Sequence, residues 1–191
     1  IQTPSLVERA QQGREVGYAI IAVGTIGIII AIYKLIELAG VARAVKNQAS
    51  SKAADPRNPL GRVLKVGQDN FEKDIDTLEL KLAEAIMAER PAIERWIGAV
   101  RIISVVAPLA GLLGTVTGMI VTFQMITLYG TGDPKLMAGG ISQALVTTVL
   151  GLLVAIPTTL LHSFTASSAR GIISTLEEQS TGILAEHSEA K

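Results

Sequence analysis

The sequence predicts an all-α integral membrane protein with three transmembrane helices, a long cytoplasmic helical loop and a cytoplasmic C-terminal helical extension. Three segments of at least 18 residues carry no charged side chain, and about 20 mostly apolar residues are needed to span a bilayer. The mean hydropathy is +0.43. Charged residues make up 18% of the chain, against about 25% in soluble proteins.

The composition also excludes several classes of function. The net charge is zero, so no basic field favours nucleic acid as a partner. The chain has no cysteine, which excludes disulfides and thiolate metal sites, and we expect neither a metal nor a cofactor. Residues 1–15 begin with Ile1 and do not resemble a signal peptide. We expect them to be a periplasmic segment of a chain that starts further upstream.

The three predicted spans are residues 16–38, 102–128 and 141–164. In the first span Lys34 follows the uncharged stretch, and its ammonium is expected to snorkel to the membrane surface. Pro108 and Pro157 lie inside the second and third spans. A proline inside a membrane helix frees a backbone carbonyl and is expected to kink the helix.

The distribution of Lys and Arg predicts the orientation of the spans. Residues 39–101 contain eleven of these cations, whereas the short loop 129–140 contains one. Cytoplasmic loops carry the excess of positive charge. We therefore expect 39–101 and the extension 165–191 to be cytoplasmic, and the N-terminus and 129–140 to be periplasmic.

The long loop itself has a helical pattern. Its apolar residues recur at helical spacing, and Pro91 is expected to kink or restart the helix. The stripe consists of Phe71, Ile75, Leu78, Leu82 and Ile86, followed by Ile93 and Ile97. This pattern favours an antiparallel helical layer beneath the membrane over a peptide-binding groove. The apolar residues after Ser167 predict that the third helix continues into the extension.

Two polar stripes run along the second and third spans. At about 100° per residue, one face of each helix collects small and hydroxyl-bearing residues. On the second span this face holds Ser104, Pro108, Gly111, Thr115, Gly118 and Thr122, and on the third Ala144, Thr148, Gly151, Ala155, Thr159 and His162. Bulky residues such as Leu109, Leu113 and Ile120 occupy the other sides of the second span.

These stripes have two interpretations, helix packing and an ion path. We assign Gly111, Gly118 and Gly151, with both prolines, to packing and helix geometry, because small residues let membrane helices approach closely. The candidate ion-pathway residues are Thr115, Thr122, Gln143, Thr147 and Thr148. Neither span contains an Asp, Glu, Lys or Arg. Because proton-driven devices usually rely on a carboxylate inside the membrane, that group would have to come from a partner.

The segments around these stripes resemble the MotA/TolQ/ExbB proton-channel family. The resemblance is carried by Ala107-Pro-Leu-Ala-Gly-Leu-Leu-Gly-Thr-Val-Thr-Gly-Met119, by Gly140-Ile-Ser-Gln-Ala-Leu-Val-Thr-Thr-Val-Leu-Gly-Leu152 and by Ala155-Ile-Pro157. It is strongest over 100–165 and closest to the ExbB branch, which energises TonB. The order of one span, a long loop and two further spans also matches that branch.

The resemblance implies an inner-membrane homopentamer around helices of a single-span ExbD-type partner, which brings an aspartate. The family's two pore threonines correspond to Thr115 and Thr148. A TonB-type protein would receive the motion driven by ion flow. Many ExbB and TolQ members carry a glutamate early in the third span, where this chain has Gln143. That difference leaves the coupling ion, proton or sodium, undecided.

Three alternatives remain beside an ExbB-type motor. A TolQ-like or MotA-like stator would use the same mechanism, although MotA has four spans where this chain shows three. A passive oligomeric channel would work without a partner. An enzyme is disfavoured, because the loop Gly130-Thr-Gly-Asp-Pro-Lys135 lacks the spacing of a phosphate-binding Walker motif.

Overall fold

The computed structural model describes residues 14–51, 54–130 and 134–189. These residues form five helices. The helices are α1 (Arg14–Ala49), α2 (Pro59–Asp69), α3 (Ile75–Glu94), α4 (Ile97–Tyr129) and α5 (Pro134–Glu189). Most of the predicted N-terminal segment and the centre of the Gly130–Lys135 loop lie outside the described residues.

Three of these helices are long and apolar enough to cross a membrane. The segments concerned are Val16–Ala49 in α1, Ile97–Leu128 in α4 and Met137–Glu189 in α5. The mean hydropathy of the most apolar part of each segment is 2.4, 1.9 and 2.2, respectively. The predicted all-helical fold with three long apolar helices is therefore confirmed. The helices run beyond the predicted spans 16–38 and 141–164, because charged residues at the end of an apolar stretch do not interrupt a helix.

The chain divides into two compact units, of which the first comprises residues 14–31 and 98–162. Its core is small and consists of Ile20, Ala107, Leu150 and Val154. Large apolar side chains, among them Leu109, Leu113 and Ile120, are exposed on α4. Their exposure agrees with the helical-angle prediction and suits a surface that faces lipid.

The second unit comprises residues 32–97 and 163–189. One core cluster includes Leu38, Leu60, Ile93, Ile172 and Leu176, and a second consists of Val63, Leu78 and Leu82. The loop stripe is therefore buried at its centre. The prediction is wrong for the first two residues of the stripe, because Phe71 lies in the turn before α3 and Ile75 is exposed.

The N-termini of α2 and α3 are both capped by side chains. Asn58 accepts a hydrogen bond from Gly61 N at 2.8 Å, and Asp74 accepts one from Thr77 N at 2.9 Å. Such caps satisfy backbone N–H groups that have no partner within the helix. An exposed ion pair joins the two helices, because Arg62 Nε lies 2.6 Å from Glu89 Oε1. This hydrogen-bonded carboxylate raises the pKa of Arg62.

Lys34 occupies a position that the sequence did not predict. Its side chain is 1% exposed and does not snorkel. The ammonium donates to the carbonyl oxygen of Ala92 at 3.0 Å and pairs with the Glu37 carboxylate at 3.2 Å. Lys34 therefore connects α1 to the last turn of α3 by a hydrogen bond.

The break between α3 and α4 also differs from the prediction. The helix continues through Pro91 and ends at Glu94, and Arg95 and Trp96 join it to α4. Trp96 adopts a positive φ of 69°, which costs a residue with a Cβ about 1–2 kcal/mol. The interruption therefore lies after the proline, at a bulky residue held in a left-handed conformation.

Candidate functional site

The backbones of α4 and α5 are in direct contact in the first unit. A Cβ atom on Gly111 would lie 2.8 Å from the carbonyl oxygen of Thr147, and one on Gly151 would lie 2.7 Å from that of Ala107. No side chain fits between the helices at this level. The structure thus places Gly111 and Gly151 in the close contact for which small residues are used in membrane proteins.

The hydroxyls of Thr115 and Thr148 are hydrogen-bonded to each other across this contact. Thr115 Oγ1 also lies 3.1 Å from the carbonyl oxygen of Ala144 and 3.3 Å from that of Gly111. Both threonine side chains are half-buried. The two residues selected from helical angles are therefore brought together, with part of their surface open.

Thr147 completes a group of five oxygen atoms. Its hydroxyl donates to the carbonyl of Ala144 at 2.7 Å and lies 3.3 Å from the carbonyl of Gly111. Thr148 Oγ1 is also 3.3 Å from Gly111 O. We call the three hydroxyls and these two carbonyl oxygens the threonine cluster. Thr147 itself is 2% exposed, so it supports the cluster from inside the helix pair.

The threonine cluster has more acceptor capacity than protons. Each hydroxyl supplies one proton and two lone pairs, and each carbonyl oxygen supplies two lone pairs. Three hydroxyl protons and the two helical N–H groups that bond these carbonyls therefore serve ten lone pairs. Lone pairs remain on the two half-buried hydroxyls, which can accept a hydrogen bond from a water molecule or from a protonated acid.

Thr122 lies at a separate contact between the same helices. It is buried, and its hydroxyl donates to the carbonyl of Gly118 at 2.9 Å. A Cβ on Gly118 would lie 2.9 Å from Ala144 Cβ, and a Cβ on Gly140 would overlap the Thr122 hydroxyl. Gly118 therefore packs against Ala144, whose carbonyl belongs to the threonine cluster, and Thr122 packs one turn further along α4, outside the cluster.

The remaining predicted residues stay outside the cluster. Gln143 is half-buried one turn from Thr147. Pro108 and Pro157 are half-buried inside α4 and α5, and both helices continue through them. The kinks expected at these prolines remain predictions.

Sequence reasoning missed one residue of the helix contact. A Cβ on Gly114 would lie 2.5 Å from Thr147 Oγ1, so this glycine makes room for the buried hydroxyl. Gly114 lies three residues after Gly111 on α4, and the four-residue spacing from Gly114 to Gly118 was the available signal. Gly114 lies about 100° from Thr115 around the helix, outside the face that was predicted from the helical angles.

The sequence of the chain is similar to one family of known proteins. The sequence model of the MotA/TolQ/ExbB proton channel family matches residues 55–178. An ExbB homolog from Methanothermobacter thermautotrophicus, described as a biopolymer transport protein, is 31% identical over 180 residues, which cover 84% of this chain and 62% of that protein.

Two further relatives, each named biopolymer transport protein ExbB, match shorter stretches. The protein from Aquifex aeolicus is 45% identical over 64 residues, or 34% of this chain and 43% of the relative. The protein from Helicobacter pylori is 47% identical over 57 residues, or 30% of this chain and 39% of the relative. Each match spans less than two thirds of the relative. By their names the relatives are biopolymer transport proteins, and the family is one of proton channels.

Proposed function

Because the chain belongs to the MotA/TolQ/ExbB proton channel family, we propose that it is the wall-forming subunit of an ion-driven motor of the ExbB–ExbD type. In this proposal the subunit supplies hydroxyl and carbonyl oxygens along the ion path. A second membrane protein supplies the ionisable acid. The motor would energise a TonB-type protein for outer-membrane transport.

The observation that carries the proposal is the hydrogen-bonded pair Thr115–Thr148, which lies in two spans without a charged residue. A carboxylate without partners in an apolar environment is unfavourable by at least several kcal/mol. A partner's carboxylate only accepts hydrogen bonds, so at this level it would bind to water, or to a cluster hydroxyl that turns its proton away from a carbonyl oxygen. Once protonated, the same carboxyl could donate to the lone pairs of the cluster and then move past the apolar parts of the wall.

The driving force sets how many ions one working step requires. One elementary charge that crosses 100 mV releases about 2.3 kcal/mol. A step of larger energy therefore needs several ions, which suits a ring of identical subunits that presents the same cluster repeatedly. We propose a homopentamer around the helices of a single-span, ExbD-type partner that carries an aspartate.

We further propose a location and an orientation. The chain would lie in the bacterial inner membrane, with the N-terminus and residues 129–140 on the periplasmic side. Residues 39–101 and 165–191 would be cytoplasmic. Support comes from the eleven Lys and Arg residues in 39–101 against one in 129–140.

The test compares two Thr→Val variants in the complex with the ExbD-type partner. Thr148→Val removes a cluster hydroxyl and keeps the branched shape. Thr117→Val is the matched control, because this exposed hydroxyl bonds only to its own helix, at 3.0 Å from Leu113 O. We expect the Thr148 variant to lose partner-dependent ion flux in liposomes and TonB-dependent uptake in cells, with an intact oligomer. The control should retain both.

Two results would contradict the proposal. The first is normal uptake in cells that carry Thr148→Val. The second is ion flux of the same size from the purified chain without any partner, which would favour a passive oligomeric channel.

A further inference from the structure

The junction between α3 and α4 presents an arginine and a tryptophan side by side. The Arg95 guanidinium carbon lies 5.4 Å from the centroid of the Trp96 ring, a distance at which the cation and the ring attract each other. Trp96 is 48% exposed, and its backbone has the positive φ described above. The large aromatic side chain is thus held outside the core of its unit, against a cation.

Arg95 has unused hydrogen-bonding capacity. Among the residues that the structure describes, no carboxylate lies within ion-pair distance of Arg95, whereas the neighbouring Arg90 lies 3.8 Å from Glu94. Contact with a ring face leaves the N–H groups at the edge of a guanidinium free. Two of these groups match the geometry of a phosphate.

The position along the chain indicates where such a phosphate would come from. The helix α4, which could span the membrane, starts at Ile97, and its uncharged stretch starts at Ile102, about 9 Å along the helix from Trp96 by the helical rise. Tryptophan is enriched at the level of lipid headgroups, where its ring is amphipathic. Phospholipid phosphates lie at the same depth.

We propose that Arg95 and Trp96 form a binding site for the headgroup of an anionic phospholipid. The Trp96 ring packs at the boundary between headgroups and acyl chains, and the Arg95 guanidinium binds the phosphate beside it. The site would anchor the start of α4 at the membrane surface. This proposal depends on the membrane location of the chain and not on ion transport or on a partner protein.

The single tryptophan of the chain makes a direct test possible. The protein alone is reconstituted in vesicles that mix phosphatidylglycerol and phosphatidylcholine, with bromine on the acyl chains of one lipid or the other. Bromine quenches tryptophan fluorescence at short range, so the ratio of the two quenching efficiencies reports which lipid occupies the site. We expect brominated phosphatidylglycerol to be preferred about fivefold, the selectivity that one basic residue gives near an anionic surface.

Matched variants separate the headgroup site from general charge. Arg95→Gln should reduce the ratio towards one, whereas Arg95→Lys should retain a preference for phosphatidylglycerol. Lys81→Gln removes an exposed cation from the same helix α3, about 20 Å from its C-terminal end by the helical rise, and should leave the ratio unchanged.

Several results would overturn the inference. Equal quenching by both lipids in the native protein is one, and equal ratios for Arg95→Gln and Lys81→Gln are another. Inorganic phosphate added to the detergent-solubilised protein should not change the emission, and a saturable change would show a site for free phosphate instead. If neither brominated lipid quenches the tryptophan fluorescence, but the emission wavelength shifts when a partner protein is added, the site is a protein contact.

Discussion

The Lys34 ammonium donates to the carbonyl oxygen of Ala92 at 3.0 Å, within the last turn of α3. The last four carbonyls of a helix have no partner inside it, and a cation is favoured at this end of the helix dipole. A residue from α1 therefore satisfies one of these carbonyls. The pair explains how a lysine can be buried after 18 uncharged residues.

Lys34→Met tests this contact. Methionine keeps most of the volume but leaves the Ala92 carbonyl without its donor, and a hydrogen bond to a charged group contributes about 1.5–3 kcal/mol. We expect the free energy of unfolding in mixed micelles to fall by about that amount. Lys46→Met, at an exposed position of the same helix, should change it little. Equal effects of the two substitutions would show that the Ala92 contact does not stabilise the protein.

Gly111→Ala tests the contact between α4 and α5. The added methyl group would lie 2.8 Å from a backbone oxygen, and only separation of the helices could relieve the overlap. Overpacking of this kind costs about 1–3 kcal/mol. Gly171→Ala is the control, because nothing lies within 4 Å of its ideal Cβ and alanine favours helix. We expect thermal unfolding in detergent to show a lower midpoint for the first variant only, and an unchanged midpoint would contradict the close contact.

Thr147→Val tests whether the buried member of the threonine cluster acts in transport or only in packing. The substitution removes one donor, whose proton is shared between Ala144 O of the same helix and Gly111 O of α4, and interhelical hydrogen bonds in membranes contribute about 0.6–1.7 kcal/mol. We expect a modest loss of stability, with partner-dependent ion flux reduced far less than in Thr148→Val. Thr147→Ser should restore the stability. Complete loss of flux in a folded Thr147→Val complex would instead place this hydroxyl directly in the ion path.

The sequence predicted the three apolar helices and the faces along which α4 and α5 meet. Both follow from local rules, the length of an uncharged stretch and the angle between residues on a helix. The meeting of Thr115 with Thr148 follows from the same angles, since each residue lies on the small face of its helix. The role of these hydroxyls in transport stays a prediction.

Other features could not be predicted because they depend on distant parts of the chain. The burial of Lys34 requires the end of α3, 58 positions later. The support that Thr147 gives to the cluster requires the Gly111 carbonyl on another helix. The break at Trp96 was expected at Pro91, because proline is the stronger local signal.

The glycine contact has a mechanical consequence. Where Gly111 and Gly151 bring two backbones together, no side chain can change rotamer to let the helices slide or separate. We therefore expect α4 and α5 to move as one rigid body at this level, and the distances between the threonine oxygens to stay constant through a working cycle. In a ring of such rigid helix pairs, a central partner would have to supply all of the movement itself.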